Sequence, residues 1–254
     1  QQAGAVLDNH MPSVFLKGAI NYALGQYEQA VSNLQRYLEA VPNNDRARKL
    51  LGATLVRQRE PQRAIDVLEP IVKDDTKDAQ LLTLLGSAYM QVGKFNEGTA
   101  YFNRASEAAP DVAYIKMQQA LGSLALGESG AAVGQLESAV NLDPEARQAT
   151  VLLALVKLRN RDFDGALEAA KKLQANSPDN PLAENLIGAA QLGKGDAKAA
   201  RETFEAALQK KSDFFPARMN LAQLDLQEKK VEDAKKQYQT ILEQDSKHMG
   251  AMLA

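Results

Sequence analysis

The sequence predicts an all-α fold, a solenoid of seven 34-residue helical hairpins with a partial repeat at each end. The first observation is an unbroken period: with copies starting at Met11, Asp45, Ala79, Ala113, Arg147, Pro181 and Phe215, the register needs no insertion or deletion. The second is a pair of columns restricted to the two smallest residues. Position 8 holds Gly18, Gly52, Gly86, Ala120, Ala154, Gly188 and Ala222, and position 20 holds Ala30, Ala64, Gly98, Ala132, Ala166, Ala200 and Ala234. The third is a bulky apolar residue at position 24, namely Leu34, Leu68, Phe102, Leu136, Phe204 and Tyr238, with Ala170 as the exception. Two antiparallel helices that cross closely admit only a hydrogen or a methyl between their backbones, and the large residue then fills the space alongside.

Each hairpin follows from its punctuation. The first helix opens at the repeat start and ends at position 15, where Gly25, Gly93, Gly127 and Gly195 can adopt the left-handed backbone that closes a helix. Arg59, Arg161 and Lys229 fill the same slot in the other copies, so those turns carry strain or use another geometry. The second helix follows, with Pro61 at the start of one, where its missing N–H is harmless. Pro42, Pro110, Pro144 and Pro178 at position 32 close four second helices. The expected division is one array over residues 1–254. Residues 1–10 are the tail of a preceding repeat, followed by repeats 11–44, 45–78, 79–112, 113–146, 147–180, 181–214 and 215–248, and residues 249–254 begin another. Ala3 falls at position 27 of the earlier repeat, so a longer array is expected.

Composition narrows the function classes. Without cysteine there is neither a disulfide framework nor a thiolate metal site. Thirty Lys and Arg against 32 Asp and Glu give a net charge of -2 with no long block of one sign, which argues against a nucleic-acid partner. No stretch approaches the roughly 20 apolar residues of a membrane span, so direct insertion by this segment is not expected. Gly188, Gly193 and Lys194 fit the start of a phosphate loop, but Gly195 stands where Ser or Thr is needed, and the glycines are already explained by packing and by the turn. His10 and His248 occupy the same repeat position seven repeats apart, too far to share a metal or a proton. Asp74 with Asp75 and Glu232 with Asp233 lie on polar surfaces without a neighbouring histidine. The expectation is a non-catalytic chain with no cofactor.

The third repeat carries Leu85, Gly86, Tyr89, Phe102, Ala105 and Pro110 at the spacing of the tetratricopeptide repeat, which the chain resembles over essentially its whole length. It departs from that pattern in lacking an aromatic residue at position 4 and in polar residues at position 11, among them Asn21, Ser123, Lys157, Gln191 and Asp225. The strings ARKLLGATLVRQREPQRAIDVLEPIV, NPLAENLIGAAQLGKGDAKAARETFEAAL and DFFPARMNLAQLDLQEKK look like the large tetratricopeptide lipoproteins associated with bacterial PEP-CTERM and exosortase systems. That resemblance implies an exported protein, lipid-anchored through a cysteine upstream and serving exopolysaccharide export or protein sorting.

The superfamily resemblance also implies a right-handed superhelix whose first helices line a concave groove through positions 2, 5, 9, 12 and 13. Those columns give a basic patch of Arg46, Lys49 and Arg57, then a floor bearing Met90, Tyr114, Met117, Leu121, Leu124 and Val151, followed by Arg159 and Asn185. Phe15, Tyr22, Gln80, Thr83, Gln91, Leu155, Leu158, Leu192, Met219, Gln223, Leu226 and Gln227 fall in the same columns. Leu121, Leu124, Leu155 and Leu158 serve equally well as packing between adjacent first helices. The floor suits an extended peptide or an amphipathic helix, and the basic trio suits an acidic partner. A chaperone-tail clamp is not expected, because Lys49 is followed by Ala53 and Leu84 where asparagines are required. The expected function is a protein-binding scaffold of a bacterial envelope assembly, in the periplasm or at the outer membrane. The alternatives are the repeat arm of a larger enzyme, such as a glycosyltransferase, or of a cytoplasmic regulator.

Overall fold

The computed structural model describes residues 10–253. Among them are fifteen α-helices and no strand. The first helices of the hairpins are α1 (Met11–Ala23), α3 (Asp45–Arg57), α5 (Ala79–Gln91), α7 (Ala113–Ala125), α9 (Arg147–Arg159), α11 (Pro181–Gly193) and α13 (Phe215–Gln227). The second helices are α2 (Tyr27–Ala40), α4 (Pro61–Leu68), α6 (Phe95–Ala108), α8 (Ser129–Leu142), α10 (Phe163–Asn176), α12 (Ala197–Lys210) and α14 (Val231–Gln244), with α15 (Met249–Met252) after them. Every first helix thus starts at an expected repeat start. The part of the preceding repeat expected over residues 1–9 lies outside the described residues.

The chain divides into two compact units, 1–135 and 136–254, at a point within α8. In the first unit α1 to α7 pack each on the next, and α3 and α5 also meet the first helix that follows. The second unit repeats the scheme from α9 to α15. Each unit is a solenoid of stacked hairpins whose core lies between first and second helices.

The small-to-large pairing sets how closely the helices approach. A β-carbon on Gly52 would sit 2.5 Å from Leu68, one on Gly86 2.5 Å from the Phe102 ring, and one on Gly188 2.6 Å from the Phe204 ring. The bulky partners have essentially no solvent exposure, so even one added methyl must displace a filled core. Pro70 shortens α4, since it cannot donate the helical bond and its ring crowds the preceding turn. The chain continues there as the 3-10 turn Glu69–Ile71.

All seven turns inside the hairpins close in one way. The amide at position 16 donates to the carbonyl at position 11, as in Gln26 to Asn21 at 2.8 Å and Lys230 to Asp225 at 2.7 Å, which is the Schellman closure. Arg59, Arg161 and Lys229 take φ of 60°, 60° and 62°, the same left-handed region as the four glycines. The three non-glycine turns therefore keep the common geometry and carry the strain. Arg161→Gly is expected to raise stability by about 0.5–1 kcal/mol, because relief of the left-handed penalty exceeds the extra freedom given to the unfolded chain. Thermal unfolding checks this, and a lowered midpoint contradicts it.

The polar residues that replace the usual aromatic at position 4 are tied to other parts of the stack. Arg48 Nε donates to the Pro42 carbonyl at 3.0 Å, and Lys116 Nζ to Ser106 Oγ at 2.7 Å. Glu184 is buried and meets Lys210 and Gln174. Position 11 is satisfied likewise. Lys157 Nζ reaches Glu137 at 2.8 Å and Asp162 at 3.2 Å, Gln191 accepts from Thr203 at 2.8 Å, and buried Asp225 pairs with Arg201 at 2.7 Å. The departures from the aromatic pattern thus exchange apolar contact for ion pairs and hydrogen bonds between elements.

Candidate functional site

The first unit contains an open groove of about 980 Å³. Tyr22 of α1 borders it, as do Ala53, Val56 and Arg57 of α3, and Arg59 and Pro61 from the turn into α4. Gln80, Thr83, Leu84, Ser87 and Gln91 of α5 supply the middle, and Val112, Tyr114 and Ile115 the far wall. The polar side chains recur three or four residues apart on α5, which places them along one helical face. Tyr114 is 54% exposed and Val112 42%, so the wall offers apolar surface to solvent. Arg57 and Arg59 are exposed, and neither guanidinium makes a hydrogen bond or ion pair among the described residues.

Of the residues that the sequence places in the groove columns, Arg57 and Tyr114 border this groove together, and Tyr22, Gln80, Thr83 and Gln91 border it with them. Lys49 is engaged elsewhere: its Nζ lies 2.6 Å from Asp78 Oδ2, whose carboxylate also accepts from the Leu81 amide and caps α5. Burial pushes the Asp78 pKa up, but Lys49 and the amide bonds outweigh it and hold it below the ordinary value. Arg46 is exposed outside the groove lining. Met90 is half-buried and stands against Gly98, where a β-carbon would approach its sulfur to 2.9 Å. Met117 is buried, and Leu121 and Leu124 are half-buried.

In the second unit Val151 is half-buried and Arg159 exposed. Asn185 is buried, and its Oδ1 accepts from Asn220 Nδ2 at 2.8 Å, a bond between two first helices. Arg59, Pro61, Val112 and Ser87 also border the groove of the first unit, although the groove columns read from the sequence did not include them. Arg59 had a signal available: at position 15 every residue that is not glycine is a cation, although glycine is easiest there.

The motifs with a chemical appearance are accounted for by packing. Gly188 lies under Phe204, Gly193 faces Phe163, and Lys194 Nζ pairs with Asp164 at 2.5 Å. His248 caps α15, with Nδ1 accepting from the Ala251 amide at 3.2 Å, and its ring meets Phe215 edge-on. His10 Nδ1 lies 3.0 Å from Ser13 Oγ. No described helix is long and apolar enough to cross a membrane.

Comparison with known proteins agrees with the hairpin stack. A tetratricopeptide-repeat family model matches residues 21–87, 55–121 and 191–254, and a second matches 117–181. Among curated proteins, Protein FlbA of Caulobacter vibrioides is 26% identical over 163 residues, which are 61% of this chain and 27% of that protein. The chain therefore spans little more than a quarter of that relative. Among solved structures, MamA is 25% identical, covering 64% of this chain and 95% of its own, at a TM-score of 0.59. YrrB, a tetratricopeptide-repeat protein with an unusual peptide-binding site, is 17% identical over 72% of this chain and 95% of its own, with a TM-score of 0.62. A tetratricopeptide repeat protein from Parabacteroides merdae, 14% identical, covers 95% of this chain and 96% of its own at a TM-score of 0.70. The last two likenesses concern the fold.

Proposed function

As this chain belongs to the tetratricopeptide-repeat family, we propose that it is a non-catalytic scaffold that holds a segment of a partner protein in the groove of its first unit. The observation that carries this reading is the groove itself, where two uncommitted arginines and an exposed tyrosine share an open cleft. The peptide-binding site named for YrrB supports the same use of the fold. Arg57 and Arg59 favour an acidic partner, whereas Lys49 already has its counter-charge in Asp78.

The test is the affinity of the native partner, captured by cross-linking in the source cells. Reversing both charges, Arg57→Glu with Arg59→Glu, is expected to weaken binding at least tenfold at low salt and to flatten its salt dependence. Tyr114→Ala is expected to weaken it at every salt concentration, because the ring contributes apolar contact. Unchanged affinity in both variants rejects the groove. The resemblance to exported lipoproteins supports a place in the bacterial envelope, within an exopolysaccharide-export or sorting assembly. Recovery of the protein solely from the cytoplasm would reject that placement.

A further inference from the structure

We infer, resting on that groove reading, that the occupant is an extended segment of about five residues with a carboxylate at one end and an apolar or aromatic side chain at the other, and not a helix. The inference starts from α5, which runs through the middle of the groove. Its Gln80 and Gln91 are exposed and eleven positions apart, a rise of about 16 Å along a helix. An extended chain covers that distance in about five residues. Between them, the Thr83 hydroxyl is satisfied by the Ala79 carbonyl at 2.6 Å. The side chains of Gln80 and Ser87 have no hydrogen-bond partner among the described residues, and the Gln91 amide makes one long bond of 3.4 Å to the Val56 carbonyl. The groove floor therefore offers donors and acceptors in a row.

What satisfies such a row distinguishes the two possible occupants. An extended chain presents an N–H and a C=O at every residue, and both amides and hydroxyls can meet them. A helix has spent those groups on its own ladder and docks through an apolar face, which would strip water from Gln80, Ser87 and Gln91 and return nothing.

The ends of the groove differ in chemistry. Successive first helices run in the same direction, so equal repeat positions lie side by side. Arg57 and Gln91 both hold position 13, and the bond from Gln91 to the Val56 carbonyl ties those two ends together. Arg59 and Tyr22 border the same region, which is the cationic end. Gln80 and Tyr114 both hold position 2, and Val112 and Ile115 join them to form the apolar end. A carboxylate near Arg57 and Arg59, with an apolar side chain against Tyr114 and Val112, places the main chain along Gln80, Ser87 and Gln91.

The probes are two capped heptapeptides, Gly-Glu-Ser-Gly-Ser-Phe-Gly and its reverse, since an extended chain can run either way along α5. Two controls accompany them: the same peptides N-methylated at the three central residues, and a side-chain-locked helix with Glu and Phe eleven positions apart. Affinities are read from amide chemical-shift titrations of the whole chain. One heptapeptide is expected to bind at least tenfold tighter than both its N-methylated form and the locked helix. Arg57→Glu should weaken it, and Gln80→Leu with Gln91→Leu should erase its advantage over the N-methylated form. If the locked helix binds as well or better and still responds to Arg57→Glu, the extended occupant is overturned while the groove stands. If no probe shifts resonances of α3, α5 or α7, the extended occupant is overturned. If the native partner also ignores Arg57→Glu and Tyr114→Ala, the groove reading falls with it.

Discussion

Phe102→Ala is expected to destabilise the first unit by about 3–5 kcal/mol, the cost of deleting a fully buried aromatic side chain from a site that cannot collapse. Phe102 is 1% exposed, and its ring stands over Gly86 at the crossing of α5 and α6. The backbones there are already as close as Gly86 and Gly98 permit, for a β-carbon on either would come within 3.1 Å of a carbonyl of the other. The helices therefore cannot move inward to fill the space, and a cavity remains. The same geometry predicts coupling. Gly86→Ala alone drives a methyl into the ring, whereas with Phe102→Ala the ring is gone and only the Gly98 carbonyl at 3.1 Å stays close, so the double variant should lose less than the sum of the single losses. Urea unfolding of the four proteins measures this, and simple additivity would show that the two residues do not share one space.

Lys210→Met is expected to cost a similar amount, about 3–5 kcal/mol near neutral pH, because it strands a buried carboxylate. Glu184 is 3% exposed, and its Oε1 receives both the Lys210 ammonium and the Gln174 amide, the latter at 2.8 Å. Its Oε2 has no partner among the described residues. Burial pushes the Glu184 pKa up, but Lys210 and Gln174 outweigh it and leave it below the ordinary glutamate value. A carboxyl with a folded pKa lower than its unfolded one lends stability above the unfolded value, and that stability is lost as pH falls through the folded value. In Lys210→Met the charge that opposed burial is gone and the Gln174 amide alone remains against it, so Glu184 is expected to take up a proton on folding and the sign to reverse. The deficit of the variant should be largest near neutrality, begin to shrink above the ordinary glutamate range as the variant's Glu184 protonates, and go on shrinking as pH falls through that range to the lowered folded value of the wild type. Adding Glu184→Gln should restore most of the loss at neutral pH. A deficit that is constant with pH would show that Lys210 acts through packing and its bond to the Pro178 carbonyl and not through the Glu184 charge.

The helices were legible in the sequence because their constraints are local and periodic. Gly86 against Phe102 leaves a trace at fixed spacing, and so does the left-handed turn at Gly93. The partners of polar residues were not legible in this way. Lys49 occupies a position expected to face a ligand, but Asp78, at the last position of its own repeat, reaches it at 2.6 Å, a meeting that only the folded hairpin creates. Asn185 was expected in the groove and instead bonds Asn220 of the next repeat at 2.8 Å. The polar position 11 looked like a weakness, yet Asp225 finds Arg201, and Lys157 finds Glu137 and Asp162. Arg59 was passed over because its slot had been explained as a turn, which accounts for its backbone and leaves its exposed guanidinium facing the groove.

Hydroxyl-radical footprinting of the chain, alone and with its cross-linked native partner, tests the groove most directly, since it reads the solvent exposure of individual side chains. Tyr22, Tyr114, Val112 and Pro61 border the groove, while Val231 of α14 and Leu142 of α8 are exposed residues that do not. The predicted result is that the partner protects the first four and leaves Val231 and Leu142 as reactive as in the free chain. Protection of Val231 and Leu142, with Tyr114 and Val112 still fully reactive, would contradict the account.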